Sequence, residues 1–316
     1  LWKKFNAEVT YYKSNTFNQT FQGSLPESTG YKSIYLQAGN VENRGWEASF
    51  NYSDKFKNGF AVSSTVTFSK NINEIKEMVS DYHTDLMDDP INIPEISKDK
   101  GRTILKVGGS IHDIYATRFF KKDGQGFVSV STDGKFEMED GAPVYLGKVA
   151  PKFNMGWNNS ISYKGLGLSF LINGRFGGVV TSSTEAILDR FGVSQRSADA
   201  RDNGGALFPG QGRVNAKAYY QMVGTGDYQT SSYYLYSATN VRLQELTLSY
   251  TMPNKWFGNI LKDVNISFIA NNPWMLYCKA PFDPELTPST ATFGQGNDYF
   301  MQPSVRSFGF GVKFKL

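Results

Sequence analysis

The sequence predicts an all-β fold, an antiparallel transmembrane β-barrel, and three observations lead there. Apolar residues recur with a period of two along most of the chain, the spacing that sends alternate side chains to opposite faces of a strand. Short and long connections alternate strictly between those strands. The composition is 15% aromatic, with 24 Phe, 18 Tyr and 31 Gly among 316 residues, excesses that recur in β-barrels.

Ten segments carry the two-residue period. The first two are 3–18 and 44–53. In 59–69, Phe60, Val62, Val66 and Phe68 share a face with Ser64, while Ala61, Ser63, Thr65, Thr67 and Ser69 share the other. Segments 102–108 and 111–121 follow. Next, Phe153, Met155, Trp157, Ile161 and Tyr163 alternate with polar residues, as do Leu166, Leu168, Phe170, Ile172 and Phe176. Only YKGL separates these two runs, so a tight hairpin turn is expected near Lys164 and Gly165. In 240–251, Val241 and Leu243 fall on one parity but Leu246, Leu248 and Tyr250 on the other, which asks for a bulge or a change of environment near Glu245. Segments 262–273 and 304–316 complete the set, and helical spacing is hard to find anywhere.

The short connections are 53–59, 108–110, 163–166 and 251–263, and the long ones 73–101, 122–151, 177–239 and 274–303. A soluble sandwich has no reason for such alternation, whereas a membrane barrel has short periplasmic turns and long outer loops. Rings at strand ends (Trp46, Trp157, Tyr163, Tyr250, Trp256, Phe257, Trp274 and Tyr277) suit interfacial girdles. The alternative is a soluble or surface β-sandwich that binds or adheres, with Phe60, Phe68, Phe153, Leu168, Phe170, Phe308 and Phe310 buried against a second sheet. In a barrel those residues face lipid, while Ser63, Thr65, Ser169, Asn173 and Arg175 face the lumen.

Other classes are excluded. No apolar run approaches the roughly 18 residues of a spanning helix. A net charge of +4 gives no nucleic-acid footprint. The single cysteine, Cys278, permits neither an internal disulfide nor a cysteine-based zinc site. Leu1 opens directly into strand-like sequence without a signal peptide, so the chain is expected to be a fragment beginning mid-barrel.

Chemistry has few candidates. The loop DYHTDLMDD offers Asp81, His83 and Asp85 as candidate ligands of a hard cation, with Asp88 and Asp89 nearby. It lacks the ligand spacing and turn glycine of an EF-hand, so a solvated acidic loop is expected, and no metal or cofactor. His112 has no evident partner, no nucleophile has an evident base, and catalysis is not expected. Tyr233, Tyr234 and Tyr236 near the end of the longest loop offer flat faces for stacking on a sugar, or for packing the loop onto the barrel rim.

The stretches GNVENRGWEASFNYS (39–53), VAPKFNMGWNNSISYKGLGLSFLINGRFGG (149–178), SATNVRLQELTLSYTMP (237–253), NNPWMLYCKAPFDPE (271–285) and PSVRSFGFGVKFKL (303–316) resemble the C-terminal part of SusC/RagA-like TonB-dependent outer-membrane transporters. The resemblance implies that residues 1–316 are the C-terminal strands of a barrel of about 22 strands. On that reading the plug, its TonB-contacting box and the first strands are expected to lie outside residues 1–316. It further implies import of a nutrient, mostly oligosaccharides and in some members peptides, driven by TonB. It implies, too, a SusD-like surface lipoprotein that closes over the loops, and further strands that complete the barrel in lipid. Phe282, Asp283, Pro284 and Glu285 become an extracellular loop motif. Phe308, Phe310, Val312, Phe314 and Leu316 become a C-terminal assembly signal, with Leu316 periplasmic where members usually end in an aromatic residue.

Overall fold

The computed structural model describes residues 4–24, 30–31, 33–37, 39–84, 87–93, 95–98, 102–125, 129, 137–208, 212–224, 232–258, 260–286, 288 and 295–316. One antiparallel sheet of eight strands dominates it. We label them β1 (Phe5–Phe17), β2 (Asn40–Lys55), β3 (Phe60–Glu77), β4 (Phe153–Tyr163), β5 (Leu166–Phe176), β6 (Asn240–Thr251), β7 (Lys262–Cys278) and β8 (Ser307–Lys315). They lie side by side in chain order, each antiparallel to the next.

The antiparallel membrane-barrel class holds, but the wall has eight strands where the periodicity suggested ten. Segments 102–108 and 111–121 belong to small outer sheets instead, Thr103–Lys106 pairing with Glu95–Lys98 and Asp113–Phe120 with Met138–Lys148. The reason is visible in burial: Thr103, Ile104 and Leu105 are successive buried residues, so this strand is covered on both faces, unlike a wall strand. Removing an even number of strands leaves every direction unchanged. The turns at 56–59, 164–165 and 252–261 stay on one side of the sheet and the long connections on the other.

Cross-strand register assembles the two faces. Phe50, Val66, Trp157, Ile172 and Leu243 oppose one another in succession, as do Phe170, Leu246, Ala270 and Phe308. Together these rows make one continuous apolar face. Among the described residues no second sheet covers it, and Phe310 and Phe308 are 82% and 63% exposed. A sandwich would bury them, so the sandwich alternative fails. At about 3.4 Å per residue and a tilt of about 40°, the eleven residues of β4 cross roughly 25 Å, the height of a barrel's apolar band.

The opposite face is polar and largely neutral. Asn51 donates to Thr65 at 2.7 Å, Tyr12 to Asn71 at 3.1 Å, Asn265 to Thr251 at 2.9 Å and Asn271 to Ser307 at 3.0 Å. The parity change in β6 is a bulge: Leu171 opposes Glu245 and Ile172 opposes Leu243, leaving Gln244 as the extra residue, hydrogen-bonded to Asn173. At the β4–β5 turn Lys164 and Gly165 both have positive φ, 47° and 91°, as a two-residue hairpin demands, and a Cβ on Gly165 would lie 2.5 Å from the Thr251 carbonyl.

Two expectations shift. Trp157 is mid-strand, where its indole N–H donates to Ser64 at 3.1 Å on the apolar face, so it is no girdle residue. The longest loop also contains three eight-residue helices, α1 (Ser183–Arg190), α2 (Gln195–Asp202) and α3 (Ala216–Val223). Each begins at a side-chain cap, Ser182, Ser194 and Asn215 respectively.

The face assignment makes a direct test. Phe170→Lys should destabilise the membrane-inserted protein by about 2–4 kcal/mol, the range for a cation on the lipid side near mid-depth. Ser169→Lys, one residue away on the polar face, should cost less than about 1 kcal/mol by the same reasoning. Urea unfolding in lipid vesicles reads both, and equal costs would reverse the faces.

Candidate functional site: the polar face and its outer mouth

The polar face holds a concavity of about 490 Å³ whose lining includes Glu8, Glu47, Asn154, Asn173, Arg175 and Glu285. Its floor is strand backbone because Gly156 sits at the centre; a Cβ there would lie 2.7 Å from Thr67 Oγ1 and 3.0 Å from Asn173 Oδ1. Gly45 of NVENRGWE has a related role. It opposes Tyr12, whose hydroxyl would lie 2.6 Å from an added Cβ, so the glycine lets the tyrosine ring lie across the sheet.

Above the concavity the long connections fold over the polar face and are tied to it. Ile75 of β3 exchanges backbone hydrogen bonds with Gly108 and Gly109 at 2.9 and 2.8 Å. Asn73 accepts from the Ser110 hydroxyl and the Ile111 N–H, while Val41, Ile75, Met78 and Leu105 make a small core beside them. Arg102 then joins three loops. Its guanidinium donates to Thr181 Oγ1 at 3.2 Å and to the carbonyls of Gln295 and Gly296 at 3.0 and 3.1 Å. In the same region Val179–Ser182 pairs antiparallel with Leu235–Ser237 and parallel with Asn297–Asp298. His112 is held here by Gln295; burial lowers its pKa below the ordinary imidazole value despite that hydrogen bond, so it is neutral at pH 7.

The motif Phe282 to Glu285 closes onto β6. Arg242, almost fully buried, pairs with Asp283 at 2.8 Å and Glu285 at 3.2 Å. Asp283 also accepts from Ser304 and from the Glu285 N–H, the latter at 3.1 Å. Burial alone would raise its carboxyl pKa, but the hydrogen bonds from Arg242, Ser304 and the Glu285 N–H outweigh that and hold it below the ordinary carboxylate value. The stretches SATNVRLQ and APFDPE are thus two halves of one lock.

Of the two uses the sequence left open for the tyrosines, ligand stacking or loop packing, the structure shows packing. Tyr234 is 1% exposed, its hydroxyl donating to Asp189 Oδ2 at 3.1 Å, so it has no face for a ligand. Tyr233 packs edge-on against Tyr234 and Tyr219, and Tyr236 edge-on against Phe282. Asp189 is the centre of the loop domain: it also takes hydrogen bonds from Ser194 and from Arg196 Nε, the latter at 2.9 Å. Burial and the Asp189 carboxylate raise the Tyr234 pKa far above the ordinary phenol value. Asp189 and Arg102 were not singled out from sequence. The signals for the helical domain were Ser182 followed three residues later by Glu185, a capping pattern, and Ser194 before α2.

Asp85 lies outside the described residues, and so do the side chains of Asp81 and His83. Among the described residues no group of His, Cys, Asp and Glu side chains could hold a metal ion.

The comparisons agree with this geometry. A TonB-dependent receptor of Formosa agariphila is 24% identical over 99% of the chain, which covers 32% of that relative. The TonB-dependent receptor SusC of Bacteroides thetaiotaomicron is 23% identical over 83% of the chain and 26% of its own length. The chain resembles the SusC/RagA-like TonB-dependent outer-membrane transporters. A solved structure of the RagAB peptide importer in its closed-closed state superposes with a TM-score of 0.68 at 17% identity, covering 98% of this chain and 33% of that one. No family model matches. The chain therefore spans about a third of the Formosa receptor and of the solved importer, and its eight described strands are part of the wall of an outer-membrane β-barrel.

The SusC/RagA-like mouth has a testable weak point. Arg242→Ala strands Asp283 and Glu285 without their cation and should cost about 3 kcal/mol, the loss expected on breaking a buried pair. The native Asp283 pKa is depressed, so the lock contributes fully above the unfolded carboxyl value, about 4, and weakens as pH falls through the native value. Amide exchange at Glu285 should quicken at pH 3 relative to pH 6 after correction for intrinsic rates, and in the variant at both. Equal protection throughout would deny the lock.

Proposed function

We propose that the chain forms part of the wall and outer mouth of an importer that carries a nutrient across the outer membrane at the expense of TonB-transmitted energy. The observation that carries this is the contrast of faces: an uncovered apolar face on one side and, on the other, a polar concavity roofed by loops that are tied together. The chain is proposed as the C-terminal portion, residues 1–316, of a barrel that also contains a plug and further strands. In the described sheet β1 pairs only with β2 and β8 only with β7, and unpaired strand edges are not tolerated in hydrocarbon. A SusD-like lipoprotein is the proposed partner over the loops. The curated relatives are named as receptors, and we propose no bond chemistry.

Oligosaccharides are the proposed substrates, the class that the family resemblance favours. Peptides are the second reading, supported by the fold likeness to a peptide importer. Phe282 to Glu285 are proposed to set the mouth's shape rather than to touch substrate, with Tyr236 as a support for that loop and Tyr233 packed among the loop tyrosines. Phe308, Phe310, Val312, Phe314 and Leu316 stand outward on β8 and just beyond it, and are proposed as the assembly signal.

Cells lacking the full-length protein, offered labelled oligosaccharides or oligopeptides, should lose uptake of one of those classes, and loss of TonB should have the same effect. Uptake of every substrate at wild-type rate in both strains would refute import. Separately, Phe314→Asp should lower the amount in the outer membrane several-fold with synthesis unchanged, read by membrane fractionation; normal assembly would remove the signal reading.

A further inference from the structure

The apolar face does not keep its character to the top of β1–β3. Tyr11 and Trp46 end it as a ring pair 4.8 Å apart, with Lys70 opposite Trp46 in the same row. In the next outward row Lys13 opposes Arg44, and in the row above that Glu42 opposes Glu74. The order from the membrane upward is therefore rings, then cations, then carboxylates. On β4 and β5 the outermost facing pair is of rings instead, Phe153 and Phe176, stacked 4.8 Å apart.

The carboxylates fix the cations at that height. Lys13 lies 2.9 Å from Glu42, Arg44 contacts both Glu42 and Glu74, and Lys76 lies 2.7 Å from Glu74. Glu42 is only 4% exposed beneath them, while Lys13 remains 55% exposed with donors to spare. Lys70 is exposed and makes no ion pair among the described residues. Four cations face two carboxylates, so the patch is net positive. It points outward, away from the lumen, directly above the rings that mark the hydrocarbon boundary.

We infer that Lys13, Lys70 and Arg44 form a binding site for the phosphate groups of an anionic glycolipid in the outer leaflet. The chemistry required is a phosphate ester at headgroup depth, which this row meets with charge-assisted donors. The inference rests on the membrane reading of the wall and not on what the transporter carries.

The test uses the full-length protein in detergent, titrated with phosphorylated lipopolysaccharide and followed by native mass spectrometry. Each lysine near an anionic surface is worth roughly fivefold in affinity, so Lys13→Gln with Lys70→Gln should weaken binding about 25-fold. Lys13→Arg with Lys70→Arg should retain it, and enzymatically dephosphorylated lipopolysaccharide should bind no better to the wild type than to the glutamine variant. Unchanged binding by the glutamine variant, or equal binding of the dephosphorylated lipid, overturns the site. Displacement by millimolar inorganic phosphate alone would make it a free-phosphate site and overturn the lipid assignment. Heat-modifiable mobility of every variant reports folding separately, and a wild type that failed to insert would instead overturn the wall.

Discussion

Everything in this chain follows from the need to pair backbone hydrogen-bonding groups where there is no water. In hydrocarbon an unpaired N–H or C=O costs several kcal/mol, so only closed sets of strands or helices are admissible. The eight-strand meander pairs each strand with its sequence neighbour, the arrangement with the shortest turns. Once the ladder is fixed the period of two is no longer a choice, because alternate side chains must meet lipid and lumen. The neutral Asn, Ser and Thr pairs across the polar face and the ring pairs across the apolar face are consequences of that alternation.

The same constraint explains what could be read directly. Wall strands are exposed to two solvents of opposite character, so Leu168, Ser169 and Phe170 announce their faces in sequence. The bulge at Gln244 was legible for the same reason, since a parity change cannot be hidden in a wall. Outer segments have no such imprint. Arg102 to Leu105 are buried on both sides by other loops, and Asp113 to Phe120 alternates like a wall strand while pairing only with another loop segment. Nothing local distinguishes such a segment, because what decides it is which neighbour it finds.

The tyrosines illustrate a second limit. Aromatic residues in a long loop read equally as ligand platforms or as core, and the deciding fact here is Asp189, 45 residues before Tyr234. A carboxylate buried with an arginine, a serine hydroxyl and a phenol is costly unless all its lone pairs are used, so the cluster specifies one loop arrangement rather than adding much stability. Phe282, Asp283 and Glu285 are the converse: the family resemblance made them a loop motif, and Arg242, on β6, supplies its physical reason.

The distribution of charge now separates the two parts of the molecule by how firmly they hold. Across the lumen face the side-chain contacts are mostly neutral hydrogen bonds, each worth about 1 kcal/mol net. The outer mouth is held by buried ion pairs at Asp189, Arg242 and Asp283, where removing one partner costs about 3–5 kcal/mol, and by the Arg102 hydrogen bonds to three loop oxygens. The polar face is therefore held by terms that water can replace one by one, and the outer loops by terms that it cannot. The four charged residues at the margin of the concavity, Glu8, Glu47, Arg175 and Glu285, lie between these regimes. Glu285 belongs to both, lining the concavity while its carboxylate pairs with the buried Arg242 at 3.2 Å.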